Sequence, residues 1–479
     1  MIAMTLAEIA AAVGGRLHAA DPDALVTRPL EFDSRKCEPG GLFLALAGEN
    51  VDGHEFVDAA VANGAVAAIV TREVDAACIV VADGLTALAA LATAVSRRLP
   101  ARIIGITGSS GKTSTKDLVA QLLGRLGPTV APPGSFNNEL GHPYTVLLAD
   151  EQTRFLVLEN SARGIGHIRY LTGIARPDIA VELNVGSAHL GELGSQQAIA
   201  QAKGELVEAL PAAADGGVAI LNADDPLVAA MAARTRARVV TYGERNGVDV
   251  RADHVVLDDL GRAAFVLNHA EQSAPVVLGL VGGHHVGNAL AAAAVALECG
   301  MPLPAVAEAL SEARAISHWR MELTERDDGV LIINDAYNAN PESMRAALKA
   351  LASVARARRA TGGRSFAVLG PMAELGADGP AEHDALGRLA VRLDVSQLIA
   401  VGEQARPIQH GAALEGSWDG ESRWVPDVAG AIALLRELLR PGDVVLVKAS
   451  RAASLERVAL AIAEDATGLP RHNDEEGTA

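Results

Sequence analysis

The hydrophobic pattern changes period between Arg102 and Leu126. Ile103, Ile104 and Ile106 make a short apolar run of strand length. After a glycine turn, Leu118, Val119, Leu122 and Leu123 recur at helical spacing, which predicts a strand and then a helix over Lys116–Leu126. The same switch repeats along the chain. Strands are expected at Leu42–Leu46, Ala65–Val70, Ile103–Thr107, Phe155–Glu159, Asp178–Leu183, Val218–Asn222, Arg238–Thr241, Val330–Asn334, Phe366–Leu369, Gln397–Val401 and Val444–Val447. Helical patterns fall at Phe56–Asn63, Ala198–Leu210, Ala289–Glu298, Glu342–Ala352 and Val428–Leu439. Near the start, Thr5-Leu-Ala-Glu8 reads as a capping box, closed by Gly14-Gly15. Strands alternating with helices predict an α/β protein with parallel sheets. A chain of 479 residues exceeds one core, so several domains are expected. The polar, acidic tail from about residue 471 is expected to be disordered.

Composition narrows the function classes. Apolar content of 49% suits a globular chain, and aromatics at 3% leave the core to Ala, Val, Leu and Ile. A net charge of −18 argues against a nucleic-acid or membrane-surface binder, although local cations can still hold an anionic substrate. Cys37, Cys78 and Cys299 are scattered, with no zinc spacing. No run of about 18 apolar residues suggests a membrane span. No signal peptide is evident, so the cytoplasm is the default location.

The strand-to-helix turn carries the clearest chemistry. Gly108-Ser109-Ser110-Gly111-Lys112-Thr113-Ser114 is a short phosphate-binding loop. In such a loop the backbone N–H groups face an anion, the lysine reaches outer phosphates and the threonine hydroxyl can ligate Mg²⁺. Its bland alternative is a glycine-rich turn with an exposed lysine. Other polar residues close predicted strands, where ligands sit in doubly wound sheets. Glu159 ends Phe-Leu-Val-Leu, and Asn184 and His189 follow the next strand; both Glu159 and His189 suit a metal by placement, or are a helix-end charge and a satisfied histidine. On local sequence alone Lys203 is a solvated helix lysine, and Asp33-Ser34-Arg35 is either a diphosphate or sugar contact or a solvated turn. His284 and Asn288, four apart, would share a helix face; the neighbouring His284-His285 pair has no third metal ligand nearby.

With these motifs in order, the chain resembles the Mur ligase family to about residue 465. The resemblance rests on Asp33-Ser-Arg35 with Asp52-Gly-His54, Thr107–Thr113, Phe136–Pro143, Asn184–Leu190, Lys203-Gly-Glu-Leu, Asn222-Ala-Asp-Asp, Gly283–Asn288, Asp335–Pro341, Gly370–Gly376 and Lys448. The run Asp-Ala-Tyr-Asn-Ala-Asn-Pro is most like members that add D-alanyl-D-alanine to UDP-N-acetylmuramoyl-tripeptide. The resemblance implies three domains: a small N-terminal α/β domain holding the UDP end of the substrate (1–98), a central P-loop parallel-sheet domain binding ATP and Mg²⁺ (99–311), and a C-terminal Rossmann-like α/β domain (312–479). It implies that Lys112 contacts phosphates and that Thr113, Glu159, His189 and a carbamylated Lys203 serve two Mg²⁺ ions. By the same resemblance the nucleotide is held by Gly108 to Ser114, His284, Asn288, Arg320 and Asp335. Ser34, Arg35, Asn138, Tyr337, Asn338 and Asn340 become substrate contacts, with Lys112, Lys203 and His189 in catalysis. A monomer is expected.

Five positions depart from the family pattern. Asn160-Ser161 stand for Met-Gly, Glu182 for an apolar strand residue, His285 for Asn and Ala449 for Gly. These departures keep open a catalytically impaired ATP-binding homologue. A folylpolyglutamate-type ligase is the other alternative, against which the leading domain speaks.

Overall fold

The computed structural model describes residues 1–48, 51–186, 194–417 and 420–465. His189 and the tail from about residue 471 lie outside the described residues. None of the described helices is long and apolar enough to cross a membrane.

Three main sheets follow one another along the chain. The first has five strands in the order Arg16–His18, Cys78–Val80, Ala65–Val70, Gly41–Leu44 and Leu30–Glu31, all parallel except for the Arg16–His18 pairing. The capping box is present as read: Thr5 and Glu8 cap the helix Leu6–Val13, and Gly14 ends it at φ 63°. The helix Gly84–Ser96, started by the Asp83 side chain, had no counterpart in the sequence reading.

The second sheet has nine strands. Its parallel part places Arg102–Thr107 between Phe155–Glu159 and Ile179–Glu182, with Val218–Asn222 and Arg238–Gly243 beyond. One expectation fails at its far edge. The sheet is not parallel throughout, because Val250–Leu257, Arg262–His269 and Gln272–Val281 add an antiparallel extension. Its burial has a period of two, with Ala263, Phe265 and Leu267 buried and their neighbours not, but every residue from 263 to 267 is apolar, so the sequence itself does not alternate.

Two helix boundaries also move. The helix after the glycine turn begins at Lys112, four residues before the expected start, because Gly111 (φ 81°) completes the turn. The expected helix 198–210 is two helices, Gln196–Lys203 and Glu205–Glu208. At Gly204 between them the Arg234 guanidinium lies where a Cβ would be, 2.0 Å away.

The third sheet runs Glu322–Glu325, Leu331–Asn334, Val444–Lys448, Ser365–Leu369, Gln397–Val401 and Ser422–Val425, parallel except at the first strand. Its helix Pro341–Arg359 is capped by Asn340 and continues past the expected Ala352.

The units join in two ways. Leu88, Leu91 and Val95 of the first unit share one buried cluster with Ile103, Val146, Leu147, Leu156 and Leu158 of the second. At the rim of that seam Phe32, Phe136 and Tyr144 pack with centroids 5.2–6.4 Å apart, and the Tyr144 hydroxyl donates to Glu31 at 3.0 Å. The link to the third unit is mixed: Val281 of the second unit is buried in one cluster with Leu331, Leu351 and Val354 of the third, and polar bonds lie beside it. Gln121 exchanges hydrogen bonds of 3.0 Å with the backbone of Arg314, and Ser317 N–H donates to Asp117 at 3.1 Å.

Candidate active site

The parallel strands deliver their carboxyl ends to one edge, where the glycine loop sits. Ser109 N–H donates to the Asn184 carbonyl at 3.0 Å and Ser110 N–H to Asn184 Oδ1 at 2.9 Å, so the neighbouring strand end fixes the loop. Gly111 is required on a second count: a Cβ there would lie 2.5 Å from Asn288 Oδ1. Lys112 Nζ donates to the Gly108 carbonyl at 2.7 Å, curling back over the loop. Desolvation lowers the pKa of its ammonium, with the Glu159 charge opposing. As the first helical residue after the loop, Lys112 stands at the positive end of a 13-residue helix.

Thr113 and Glu159 meet beside the loop. The Thr113 hydroxyl donates to Glu159 Oε2 at 3.0 Å, and Asn137 Nδ2 donates to Oε1 at 2.7 Å. Arg320 reaches in from the third unit, donating to Thr113 Oγ1 at 3.2 Å and to Ser135 Oγ at 3.0 Å, with its guanidinium 4.2 Å above the Tyr337 ring. Hydroxyl and carboxylate oxygens beside a phosphate loop are the hard donors that Mg²⁺ takes, so Thr113 and Glu159 fit that ion. Among the described residues no cluster of three His, Cys, Asp or Glu forms a metal site. Tyr337, Asn338 and Asn340 line the same concavity as Lys112 and Glu159. Asn340 Nδ2 donates to the Ser109 carbonyl at 3.2 Å while its Oδ1 caps the helix Pro341–Arg359.

An adjoining cavity of about 120 Å³ gathers His284, Asn288, Arg320 and Asp335. Asp335 accepts from Lys448 Nζ at 2.6 Å and from Met321 N–H at 3.1 Å. The same Nζ holds the Asn338 carbonyl at 2.8 Å. The helix here begins at His285 rather than Ala289, so Asn288 lies in its first turn and its side chain meets the His285 ring at 3.3 Å.

Lys203 is not a surface lysine. It is 1% exposed, the last residue of its helix, in electrostatic reach of Glu182 and Lys112. Glu182 is fully buried in the central sheet, and neither carboxyl oxygen has a hydrogen-bond partner. Burial pushes the Lys203 pKa down and the Glu182 pKa up, each toward its neutral form.

Phe32, Asp33, Ser34, Arg35 and Phe43 line a separate open cavity of about 590 Å³ in the first unit. Asp33 caps the short turn Ser34–Lys36, and Arg35, mostly exposed, folds back on Asp33 at 2.9 Å. Asn138 is engaged locally, its Oδ1 accepting from Gly141 N–H at 2.9 Å. The residues that the sequence reading left out of the site are Ser135 and Asn137. Asn137 stood inside the quoted run Phe136–Pro143, one position from the residue chosen. Of the departures, Ser161 does not need glycine: its backbone is not left-handed, and its N–H and hydroxyl hold the Asn137 carbonyl at 3.1 and 2.8 Å.

Comparison with known proteins follows the same order along the chain. Residues 29–100 match the description "Mur ligase family, catalytic domain", 106–296 "Mur ligase middle domain" and 319–451 "Mur ligase, glutamate ligase domain". The chain is 53% identical to the UDP-N-acetylmuramoyl-tripeptide--D-alanyl-D-alanine ligase of Mycobacterium tuberculosis (strain ATCC 25618 / H37Rv), over 98% of this chain and 99% of that protein. It is 34% identical to the enzyme of that name from Escherichia coli (strain K12), over 98% and 100%. Among solved structures, MurF from Acinetobacter baumannii superposes with a TM-score of 0.84 at 34% identity, covering 96% of this chain and 99% of that one. MurF ligase from Thermotoga maritima, in complex with ADP, gives 0.78 at 29% identity over 92% and 98%. By fold, motif order and full-length identity, the chain belongs to the Mur ligase family.

Proposed function

We propose that this protein is an ATP-dependent amide-bond ligase that adds D-alanyl-D-alanine to UDP-N-acetylmuramoyl-tripeptide, releasing ADP and phosphate, in cytoplasmic peptidoglycan precursor synthesis. The observation that carries this reading is the meeting of the phosphate loop and Glu159 with the Asp335–Pro341 run, through Arg320 and Asn340. Relatives of the same name align over essentially their whole length.

A carboxylate is a poor acylating agent. ATP converts the terminal carboxylate of the tripeptide to an acyl phosphate, and the amine of D-alanyl-D-alanine then displaces phosphate. Lys112 and Arg320 bind and orient the phosphates. Thr113 and Glu159, with His189 by the family resemblance, would hold Mg²⁺, which would supply charge neutralisation on the phosphoryl group. His284, Asn288 and Asp335 hold the nucleoside. Ser34 and Arg35 face the UDP end; Tyr337, Asn338 and Asn340 face the acceptor. Lys203 would serve as a carbamate: burial drives its amine toward the neutral form, which would add CO₂ with release of a proton, and the resulting anion would be able to hold a second Mg²⁺. The functional divisions fall near residues 98 and 311, giving UDP-substrate, ATP/Mg²⁺ and C-terminal ligase domains.

The test is phosphate release from ATP with UDP-N-acetylmuramoyl-tripeptide, with and without D-alanyl-D-alanine. Release that depends on both substrates is expected. Release indifferent to the dipeptide would remove this reading.

A further inference from the structure

Resting on that reading, the acceptor brings a second problem to the site. Its amine reacts, but its carboxylate stays free and needs a cation at a fixed distance from the acyl carbon. We propose that Arg451, held over the indole of Trp319, receives the C-terminal carboxylate of D-alanyl-D-alanine.

The position follows from the third sheet. Val444–Lys448 lies between Leu331–Asn334 and Ser365–Leu369, all three parallel, so their carboxyl ends share one edge, where ligands sit in open α/β sheets. The loop leaving Lys448 is fastened to both neighbours there. Lys448 Nζ donates to the Asn338 carbonyl at 2.8 Å, Ser450 N–H to the Pro371 carbonyl at 2.9 Å, and Ala373 N–H to Ser450 Oγ at 2.8 Å. Arg451 is the next residue along.

Its guanidinium is placed rather than free. It lies 4.4 Å from the Trp319 ring centroid, and one N–H donates to Glu456 Oε1 at 2.6 Å. The side chain is still 51% exposed, which leaves donors for the planar, two-pronged bond that guanidinium makes with a carboxylate. Trp319 is also held in place. It takes a left-handed φ of 58°, and its carbonyl accepts from Tyr337 N–H at 3.3 Å. Trp319 and Arg320 are consecutive, so two guanidinium–aromatic pairs stand side by side. Arg320 over Tyr337 turns to the phosphate loop, and Arg451 over Trp319 is one residue further out. Of the other described cations near this edge, Lys448 is buried on Asp335 and Arg320 is engaged by Thr113 and Ser135; Arg345, like Arg451, has one carboxylate partner, Glu382, but is less exposed and stacks on no ring among the described residues.

The experiment measures phosphate release by the full chain with D-alanyl-D-alanine and with its C-terminal amide. Arg451→Ala should raise KM for the dipeptide by about 30-fold or more, with KM for ATP and the UDP substrate within about threefold; Arg451→Lys should recover part of the loss. Wild type should use the amide about as poorly as Arg451→Ala uses either form, so that substitution and amidation do not add. An unchanged dipeptide KM in Arg451→Ala overturns the assignment, as does equal use of acid and amide by wild type. If Arg451→Ala does not fold, the acid–amide comparison on wild type decides alone. A wild type with no dipeptide-dependent release overturns the ligase reading itself, and this assignment with it.

Discussion

Two buried carboxylates, Glu159 and Glu182, end the two strands that flank Arg102–Thr107 in one sheet, and live differently. Glu159 accepts from Thr113 and Asn137, one bond to each oxygen. Among the described residues Glu182 accepts from nothing, and of the two cations in electrostatic reach of it Lys203 is equally buried and Arg234 partly exposed. Burying an ionised group without partners costs more than folding can spare, so the second site is pushed to shed charge, while the first surrounds its carboxylate with donors. A phosphate site needs fixed charge. The carbamate proposed for Lys203 would form only from an amine that has lost it.

The largest expected effect lies on the charged side. Lys112→Ala should reduce turnover by about a thousandfold or more, since no other loop cation follows the transferring phosphoryl group. A variant keeping above about a tenth of wild-type turnover breaks the loop assignment.

On the other side, Lys203→Ala should fold and lose about 100-fold or more in turnover, the scale of removing one electrostatic stabiliser. Acetate or formate at fixed ionic strength should restore part of it by occupying the vacated anion position. Full activity with no additive returns Lys203 to a packing role.

Asn137 sharpens the Glu159 half. Asn137→Ala should cost about 10- to 100-fold in kcat/KM, as the loss of partners that orient a metal ligand does, with a weaker response to Mg²⁺. Asn138→Ala, which removes only a local turn bond, should cost less. Reversed ranks in a Mg²⁺ titration would show that the neighbour had been mistaken for the ligand holder.

The smallest effect concerns stability. His142 is fully buried with neither ring nitrogen partnered, and burial lowers its pKa to about 3. A depressed histidine pKa means the unfolded chain binds the extra proton first. Stability is therefore lost as pH falls below the ordinary value near about 6.5, by up to about 1.4 kcal/mol per pH unit. His142→Leu should flatten the acid limb of denaturant midpoints between pH 7 and pH 5. An equal slope in both proteins would mean that the ring finds a partner.

Much of this was written in local sequence. The strand–glycine–lysine turn and the Asp335–Pro341 run are contiguous, so their chemistry is legible without the fold. Lys203 was not legible that way: its burial depends on a helix packing over a strand twenty residues back, and only the family likeness singled it out. Asn137 against Asn138 turns on which amide faces inward, and no spacing rule distinguishes them. The antiparallel extension is not legible as alternation, because residues 263–267 are apolar throughout and only their burial in the folded sheet alternates.

The seam between the first two units has a consequence for how the chain comes apart. Leu88 and Leu91 meet Ile103, Leu147 and Leu156 in one continuous apolar layer across residue 98. A chemical boundary there is not a folding boundary. Either half made alone would present that layer to water and seek its own kind, so residues on both sides of 98 should melt together and resist proteolytic separation. The joint to the third unit hides less apolar surface, with Val281 buried in the third unit's core beside the polar bonds at Arg314 and Ser317. Parting the chain there would bare fewer side chains than parting it at residue 98, so the weaker of the two seams is the one that carries Arg320 to the phosphate loop.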